Sequence, residues 1–472
     1  MSLYDSDFSG EENLDFENTN VNDEIKKCKK TIDNGSIYSS LEYIEEVLQL
    51  CIESDKYKDG LYFSEKLIEI FPYNAEYWLK NGICLNGLLR FEDAIISFEK
   101  SLSLNPGDTE VLLDKATAEE NLGISIQAIE TLNQILSIDP NHDEAYFNLG
   151  LIAQKENKFE EAVGYFKKAI ELDPNYSEAW YELGFSYENF DHLTEALEAY
   201  EKFLDLEPYH ANGWFNRGVV LVRLSRIEQA INSYDLALAL KEDFASAWFN
   251  KGNALADLGR FQQAIECFKK SLELDKNDEA SFYNIGNIYE EMGDIHSAIK
   301  YYTESIKIND QYYEAFIARG YCHDAAGKFQ LALKDFNKAI SLSQDRADAW
   351  YARADLEYSL GQLQNSILSY KEALKIENDN FEVWFNLAET LFELGDWLEA
   401  LNSFDQCIRI SPSDANSYYG KAKANFILSR PQEAVECLKT AFKLDPEIKE
   451  EFAKDYPEIR SSKLFKKLLG EI

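Results

Sequence analysis

The sequence predicts an all-α fold, a solenoid built by stacking helix–turn–helix units in one direction. Three observations carry this. Segments such as DEAYFNLG, SEAWYELG, SAWFNKG and EVWFNLA return every 34 residues. With Ala75 as position 1, position 4 is large and mostly aromatic (Trp78, Tyr146, Trp180, Trp214, Trp248, Trp350, Trp384), positions 8 and 20 are small in every frame, and position 24 is mostly aromatic. Residues 75–448 hold eleven such frames with no insertion or deletion. A chain of 472 residues that is 45% hydrophobic is too apolar to stay disordered and too long for one ordinary core, so the core is built by repetition.

Each element follows from the frame. Positions 4, 8 and 11 fall on one stripe of a first helix, and positions 20, 24 and 27 on one stripe of a second. Gly or Ala at position 8 (Gly82, Gly150, Gly184, Gly218, Gly252, Gly286, Gly320) and Ala at position 20 let the two helices approach closely. Proline at position 32 (Pro106, Pro140, Pro174, Pro208, Pro412, Pro446) cannot continue the second helix. Asp or Asn then precedes the next helix and can cap its free N–H groups. His142 and His210 fall at this same point, where a polar turn residue is ordinary.

The ends depart from the frame. Residues 41–74 read as a degenerate repeat, with Ile44 in the aromatic place and Gly60 for the alanine, and residues 21–40 as a capping helix before it. Residues 1–20 carry Asp5, Asp7, Glu11, Glu12, Asp15 and Glu17 without a Lys or Arg and read as a disordered acidic tail. Residues 449–472 read as a C-terminal capping helix with basic character from Arg460, Lys463, Lys466 and Lys467.

With an aromatic, then Leu-Gly, Ala, an aromatic, Ala and Pro in eleven frames in register, the sequence resembles the tetratricopeptide-repeat superfamily over about four-fifths of its length. The resemblance implies a right-handed superhelix whose first helices line a concave groove with positions 2, 5, 6, 9, 12 and 13. The groove pattern is similar to the superhelical repeat region of O-GlcNAc transferase, where an asparagine ladder holds extended protein segments; the catalytic domain of that enzyme has no counterpart here. Peptide-binding residues are expected on that basis at Asn148, Phe215, Asn216, Phe249, Asn250, Asn253, Tyr283, Asn284, Asn287 and Asn386. An amide offers both donor and acceptor, so it can pair with a peptide backbone whatever the side chains. The carboxylate clamp of chaperone-docking relatives is not matched. Asn253 and Asn284 fit it, but Phe249 stands where a lysine is needed, and Glu314 and Ala318 stand where basic residues are needed.

Charge sets the expected partners. The net charge is −38, from 85 acidic and 47 basic residues, which disfavours phosphate backbones and anionic membranes. Groove acids Glu182, Glu188, Asp257, Glu290, Glu291 and Asp324 favour basic or neutral segments. The seven cysteines are odd in number and form no CxxC pair, which suits a reducing compartment. No catalytic or metal-ligand spacing occurs among the five histidines, and Cys322 and His323 lie about 100° apart on a helix. The expectation is a cytoplasmic scaffold or adaptor that binds other proteins through peptide segments in its groove. It has no enzyme activity, cofactor, nucleic-acid partner or membrane insertion, and is a monomer or weak homodimer. The alternatives are a self-assembling structural protein and a non-catalytic accessory subunit of a larger complex.

Overall fold

The computed structural model describes residues 11–455 with Lys463 and Lys467, and side chains from residue 21. The described residues form 26 α-helices and one short 3-10 turn, with no strand. The chain divides into two compact units, Met1–Glu242 and Asp243–Ile472. The first holds the N-terminal cap and repeats one to five; the second holds repeats six to eleven. Each repeat is a first helix of 13 or 14 residues and a second of 14, as in Glu279–Glu291 and Ile295–Ile308 of repeat seven.

The frame is set by one contact inside each repeat. The position 24 ring lies flat against the first helix where position 8 has no side chain. A Cβ on Gly286 would stand 2.5 Å from Tyr302, one on Gly150 2.5 Å from Phe166 and one on Gly218 2.5 Å from Tyr234. Where position 8 is alanine, the facing residue is Leu132 or Leu438 in two of the four repeats, a smaller partner for a larger one. Tyr302, Tyr234, Phe166, Phe268, Phe336 and Phe404 are almost wholly buried.

The turn between the helices has its own rule. Position 15 has positive φ in every repeat. It is Gly123, Gly259, Gly293, Gly327, Gly361 and Gly395 in six repeats, and Leu89, Asn157, Asp191, Ser225 and Ser429 in the others. The next amide then turns back to the carbonyl of position 11, as from Arg90 to Leu85 (2.9 Å) and from Asp294 to Tyr289 (2.8 Å). This closes a Schellman motif and satisfies the last free carbonyls of the first helix.

Four of the half-buried position 4 indoles act as latches as well as packing residues. Their N–H donates to the carbonyl six residues back, from Trp78 to Pro72 (2.9 Å), Trp180 to Pro174 (3.0 Å), Trp214 to Pro208 (2.8 Å) and Trp384 to Asn378 (2.8 Å). This ties each first helix to the turn that precedes it.

Polar clasps join neighbouring repeats. A basic residue at position 7 reaches its own second helix and the second helix of the repeat before. Arg217 donates to Ser233 and Glu201, both at 2.7 Å. Arg319 forks onto Asp335 at 2.7 and 2.8 Å and donates to Thr303 at 3.1 Å. Arg353 meets Ser369 and Asn337 in the same way, and Lys421 meets Asp405.

The N-terminal helix runs from Glu11 to Asp33. Half of the stretch read as a disordered tail is therefore helical, and the cap begins before residue 21. Val21, Ile25, Cys28 and Ile32 pack against Ile44, Leu48 and Cys51. Helices Leu41–Glu53 and Tyr57–Ile70 complete the degenerate repeat. Gly60 replaces alanine there because a Cβ would stand 2.7 Å from the Cys84 sulfur. At the other end, helix Ile448–Asp455 puts a buried Phe452, at position 4 of a further frame, against Tyr419, Phe426 and Phe442. The remainder of the expected C-terminal helix, including Arg460 and Lys466, lies outside the described residues, as do residues 1–10.

Two substitutions test this frame through the urea midpoint. Gly286→Ala should lower it by the equivalent of about 1–3 kcal/mol, because the Tyr302 ring has to move. Leu89→Gly should raise it by about 1 kcal/mol, because an exposed leucine at φ 60° has strain to relieve and no packing to lose.

Candidate functional site

Within each unit the first helices of successive repeats pack on one another, and no two second helices among the described residues pack as closely. The first helices therefore form the more tightly spaced row, and their side chains meet across repeats.

The helix starts share one register. Position 34 precedes each first helix, and Asn74, Asp108, Asp278, Asn380 and Asp414 accept a backbone N–H there. His142 and His210 do so through Nδ1, from Ala145 at 3.3 Å and Gly213 at 3.1 Å. Where position 34 is Tyr176 or Tyr312 there is no side-chain cap, and the ring packs instead on position 5, on Phe147 (4.8 Å between centroids) and Tyr283 (5.2 Å).

Position 5 thus belongs partly to the core. Phe215 meets Tyr234 at 5.9 Å, Phe249 meets Phe268 at 5.6 Å and Tyr283 meets Tyr302 at 5.6 Å. All three are half-buried.

The asparagines are half-buried too, and several form rungs between repeats. Asn216 Nδ2 donates to the Tyr181 hydroxyl of the repeat before (2.9 Å), Asn284 to Asn253 Oδ1 (2.8 Å) and Asn386 to the Tyr351 hydroxyl (3.1 Å). Asn287 accepts from Tyr302 within its own repeat (2.8 Å), and Asn148 donates to its own helix at Glu144 (2.8 Å). Asn250 stands at the same position 6 at the start of the second unit. The rungs that use Asn216 and Asn284 each take one of an amide's two N–H groups, while Asn386 also lies against Asp355. Gln154 makes a further rung to Ser186 (3.0 Å), and Arg223 one to Asp191 (2.8 Å).

Carboxylates on this row are held above their usual range. Asp114, at position 6, is pushed up to about 6, first by burial and then by Glu110, Asp108 and Glu144. Burial also raises Glu182, Glu188 and Asp355, with the Arg223 guanidinium opposing the rise at Glu188.

The thiols and imidazoles are otherwise engaged. Burial pushes Cys51, Cys84, Cys322 and Cys407 up to about 12. Cys322 lies against Glu290, while His323 Nε2 stands 3.8 Å from Asp335, so the adjacent pair serves two different contacts. Among the described residues no group of three His, Cys, Asp or Glu is placed to hold a metal ion, and no helix is long and apolar enough to cross a membrane.

Models of the tetratricopeptide repeat match residues 143–176, 165–198, 245–278, 280–312, 313–346, 381–414 and 415–448, and a further TPR-repeat model matches 220–259 and 354–395. The chain belongs to the tetratricopeptide-repeat superfamily. As a tetratricopeptide-repeat protein it is, in general terms, a protein-interaction scaffold on a fold that is typically non-catalytic. Similar solved structures include YrrB, a TPR protein with an unusual peptide-binding site (26% identity over 40% of this chain and 98% of that one, TM-score 0.38). MamA matches at 24% over 35% of this chain and 96% of that one (TM-score 0.34). A tetratricopeptide repeat protein from Parabacteroides merdae matches at 18% over 53% of this chain and 98% of that one (TM-score 0.42). No curated protein matches the chain.

The sequence reading located the asparagine and aromatic rows of this tetratricopeptide-repeat protein but not the rungs, the indole latches or the position 7 clasps. The clasps had a signal in the recurrence of Lys115, Arg217, Arg319, Arg353 and Lys421 at one position.

Two pH effects follow, of opposite sign. Burial lowers the His210 pKa, so its cap contributes stability that is complete above the unfolded value of about 6.5 and is lost as pH falls from there through the lower folded value. In urea titrations between pH 8 and pH 5, His210→Asn should show the smaller loss, since asparagine caps at both. Asp114 has a raised pKa, so its ionisation destabilises the fold as pH rises from about 4 through about 6. Asp114→Asn should therefore raise the midpoint at pH 7.5, with the gain shrinking as pH approaches 4.

Proposed function

We propose that the row of first helices binds extended segments of partner proteins, with a preference for basic or neutral ones. The observation that supports this is the row itself. Half-buried amides and rings recur at one spacing, and the rungs at Asn216 and Asn284 occupy only one N–H of each donor amide. The remaining amide groups match the donor and acceptor pattern of a peptide backbone. Each such bond nets roughly 0.5–1.5 kcal/mol, so a handful gives weak binding without side-chain selection. The acidic groups held above their usual range on the same row supply a preference for cations.

The experiment is affinity capture on the intact protein beside its Asn216/Asn250/Asn284→Ala variant, with mass spectrometry of what is retained. The variant should lose the partner by tenfold or more while its far-ultraviolet circular dichroism and urea midpoint show it folded. Equal retention by a folded variant would move the binding surface off the first helices.

A further inference from the structure

Across repeats eight, nine and ten the first-helix row gathers rings and carboxylates around Asp355, while the arginines of these helices, Arg319 and Arg353, turn away to the second helices. Tyr321 of repeat eight is 43% exposed and packs edge-on against Phe336 at 5.4 Å. Its hydroxyl lies in the field of Asp355, Asp348, Asp324 and Glu382. Tyr351 of repeat nine is half-buried between Asp355 and Glu382 and faces both. Asp355 is half-buried, accepts from the Tyr370 hydroxyl and lies against Tyr351 and Asn386. Glu382 is exposed. Burial raises Asp355, whose strongest neighbours are Tyr370, Tyr351, Glu382 and Asn386, and among the described residues neither Asp355 nor Glu382 forms an ion pair. Asp348 is different, since Arg346 already pairs with it at 3.0 Å.

The same row shows what fills such a place. One repeat further on, Lys423 sets its own ammonium 4.8 Å from the Tyr419 ring and 5.4 Å from the Phe392 ring. Arg346 lies 4.0 Å over Tyr313 while pairing with Glu314 at 2.6 Å. In both places the chain supplies the cation from within. Beside Asp355 it supplies the rings and the charges and leaves the cation out. With no metal-holding group among the described residues, the matching ligand is an organic cation. Such a cation gains from carboxylate and ring together when water is partly excluded.

We infer that Tyr321, Tyr351, Asp355 and Glu382 form a seat for one cationic side chain, a lysine or arginine, on an extended segment of a partner protein. The seat rests on the reading of the first-helix row as a peptide-binding face. It deepens that reading by fixing where along the row a basic residue is chosen.

The test uses the full chain and a fluorescein-labelled peptide of alternating lysine and alanine, with glutamine–alanine and arginine–alanine versions, followed by anisotropy at about 0.15 M salt, where long-range attraction is screened. Asp355→Asn with Glu382→Gln should weaken the lysine and arginine peptides by fivefold or more. Glu130→Gln with Glu198→Gln, which removes two exposed charges from second helices of the other unit, should change binding less than twofold. The glutamine peptide should bind more weakly and be indifferent to both pairs. Tyr321→Leu should cost a further two- to fivefold. Asparagine at 355 keeps an acceptor for Tyr370, and Glu382→Gln alone gives the same reading from an exposed position if the pair is destabilised. Equal effects of the two charge pairs, or no cationic peptide bound at millimolar concentration, would overturn the seat. Binding that is lost in the Asn216/Asn250/Asn284→Ala variant but intact in the 355/382 pair would sink the seat and keep the groove. The reverse pattern would keep the seat and sink the ladder.

Discussion

The architecture depends on how closely a ring at position 24 approaches a residue with almost no side chain at position 8. That contact fixes the distance between the two helices of a repeat, and hence which residues of the first helix face the next repeat. Nothing larger than a hydrogen fits between Gly286 and Tyr302. The repeat at Ala388 relaxes the contact in another way. Phe404 turns toward the next repeat, where a Cβ on Gly420 would stand 2.3 Å from its ring. For Phe404 the missing side chain is thus on the following repeat instead of its own. A frame fixed this tightly tolerates no insertion over eleven repeats, because one extra residue would rotate a helix by about 100° and remove both the ring and the gap.

Once the frame is fixed, the polar groups on the first-helix row answer two demands. They must close the spaces between repeats, and any that remain are free for a ligand. The structure shows the first demand being met at several rungs. Asn284 is bound to Asn253 and Asn386 to Tyr351, so part of the asparagine row works as mortar between repeats. This division has a physical cause. A half-buried amide that faces another repeat costs free energy unless paired, and the nearest partner is the neighbouring position 5 or 9. A rung that commits one N–H leaves the rest of the amide on the open side, so support and recognition are compatible at the same residue.

Sequence showed the frame because positions 4, 8, 20 and 24 keep one kind of side chain in nearly every repeat. It did not show the turn, because position 15 keeps one backbone conformation under very different residues. Leu89 and Gly259 share positive φ, and only the glycine advertises it. The position 7 clasps were only partly legible. Arg217, Arg319 and Arg353 alternate with leucine or isoleucine in other repeats, and their partners lie 16 residues away on two different helices. The asparagines were visible, but their partners belong to the preceding repeat and depend on its residue at position 5 or 9. The N-terminal boundary was missed for a related reason: acidic composition signals solvation, and the apolar spacing that marks this helix, Val21, Ile25, Cys28 and Ile32, begins only at residue 21.

The distribution of charge separates the two kinds of helix. On the second helices the acids meet a lysine three residues away, as in Lys168 with Glu171, Lys270 with Glu273, Lys307 with Glu304 and Lys375 with Glu372. These pairs neutralise their own surface and contribute little energy. On the first helices Asp114, Glu182 and Asp355 are more deeply buried, and their ionised forms are held at a cost. A carboxylate raised by burial gains most when a cation arrives, because the ligand removes a penalty that the free protein carries. The excess negative charge of the chain is therefore not an even coat. It is compensated in part by close lysine pairs along the second helices and left uncompensated at a few half-buried points on the first, where an arriving basic residue gains more than at an exposed carboxylate.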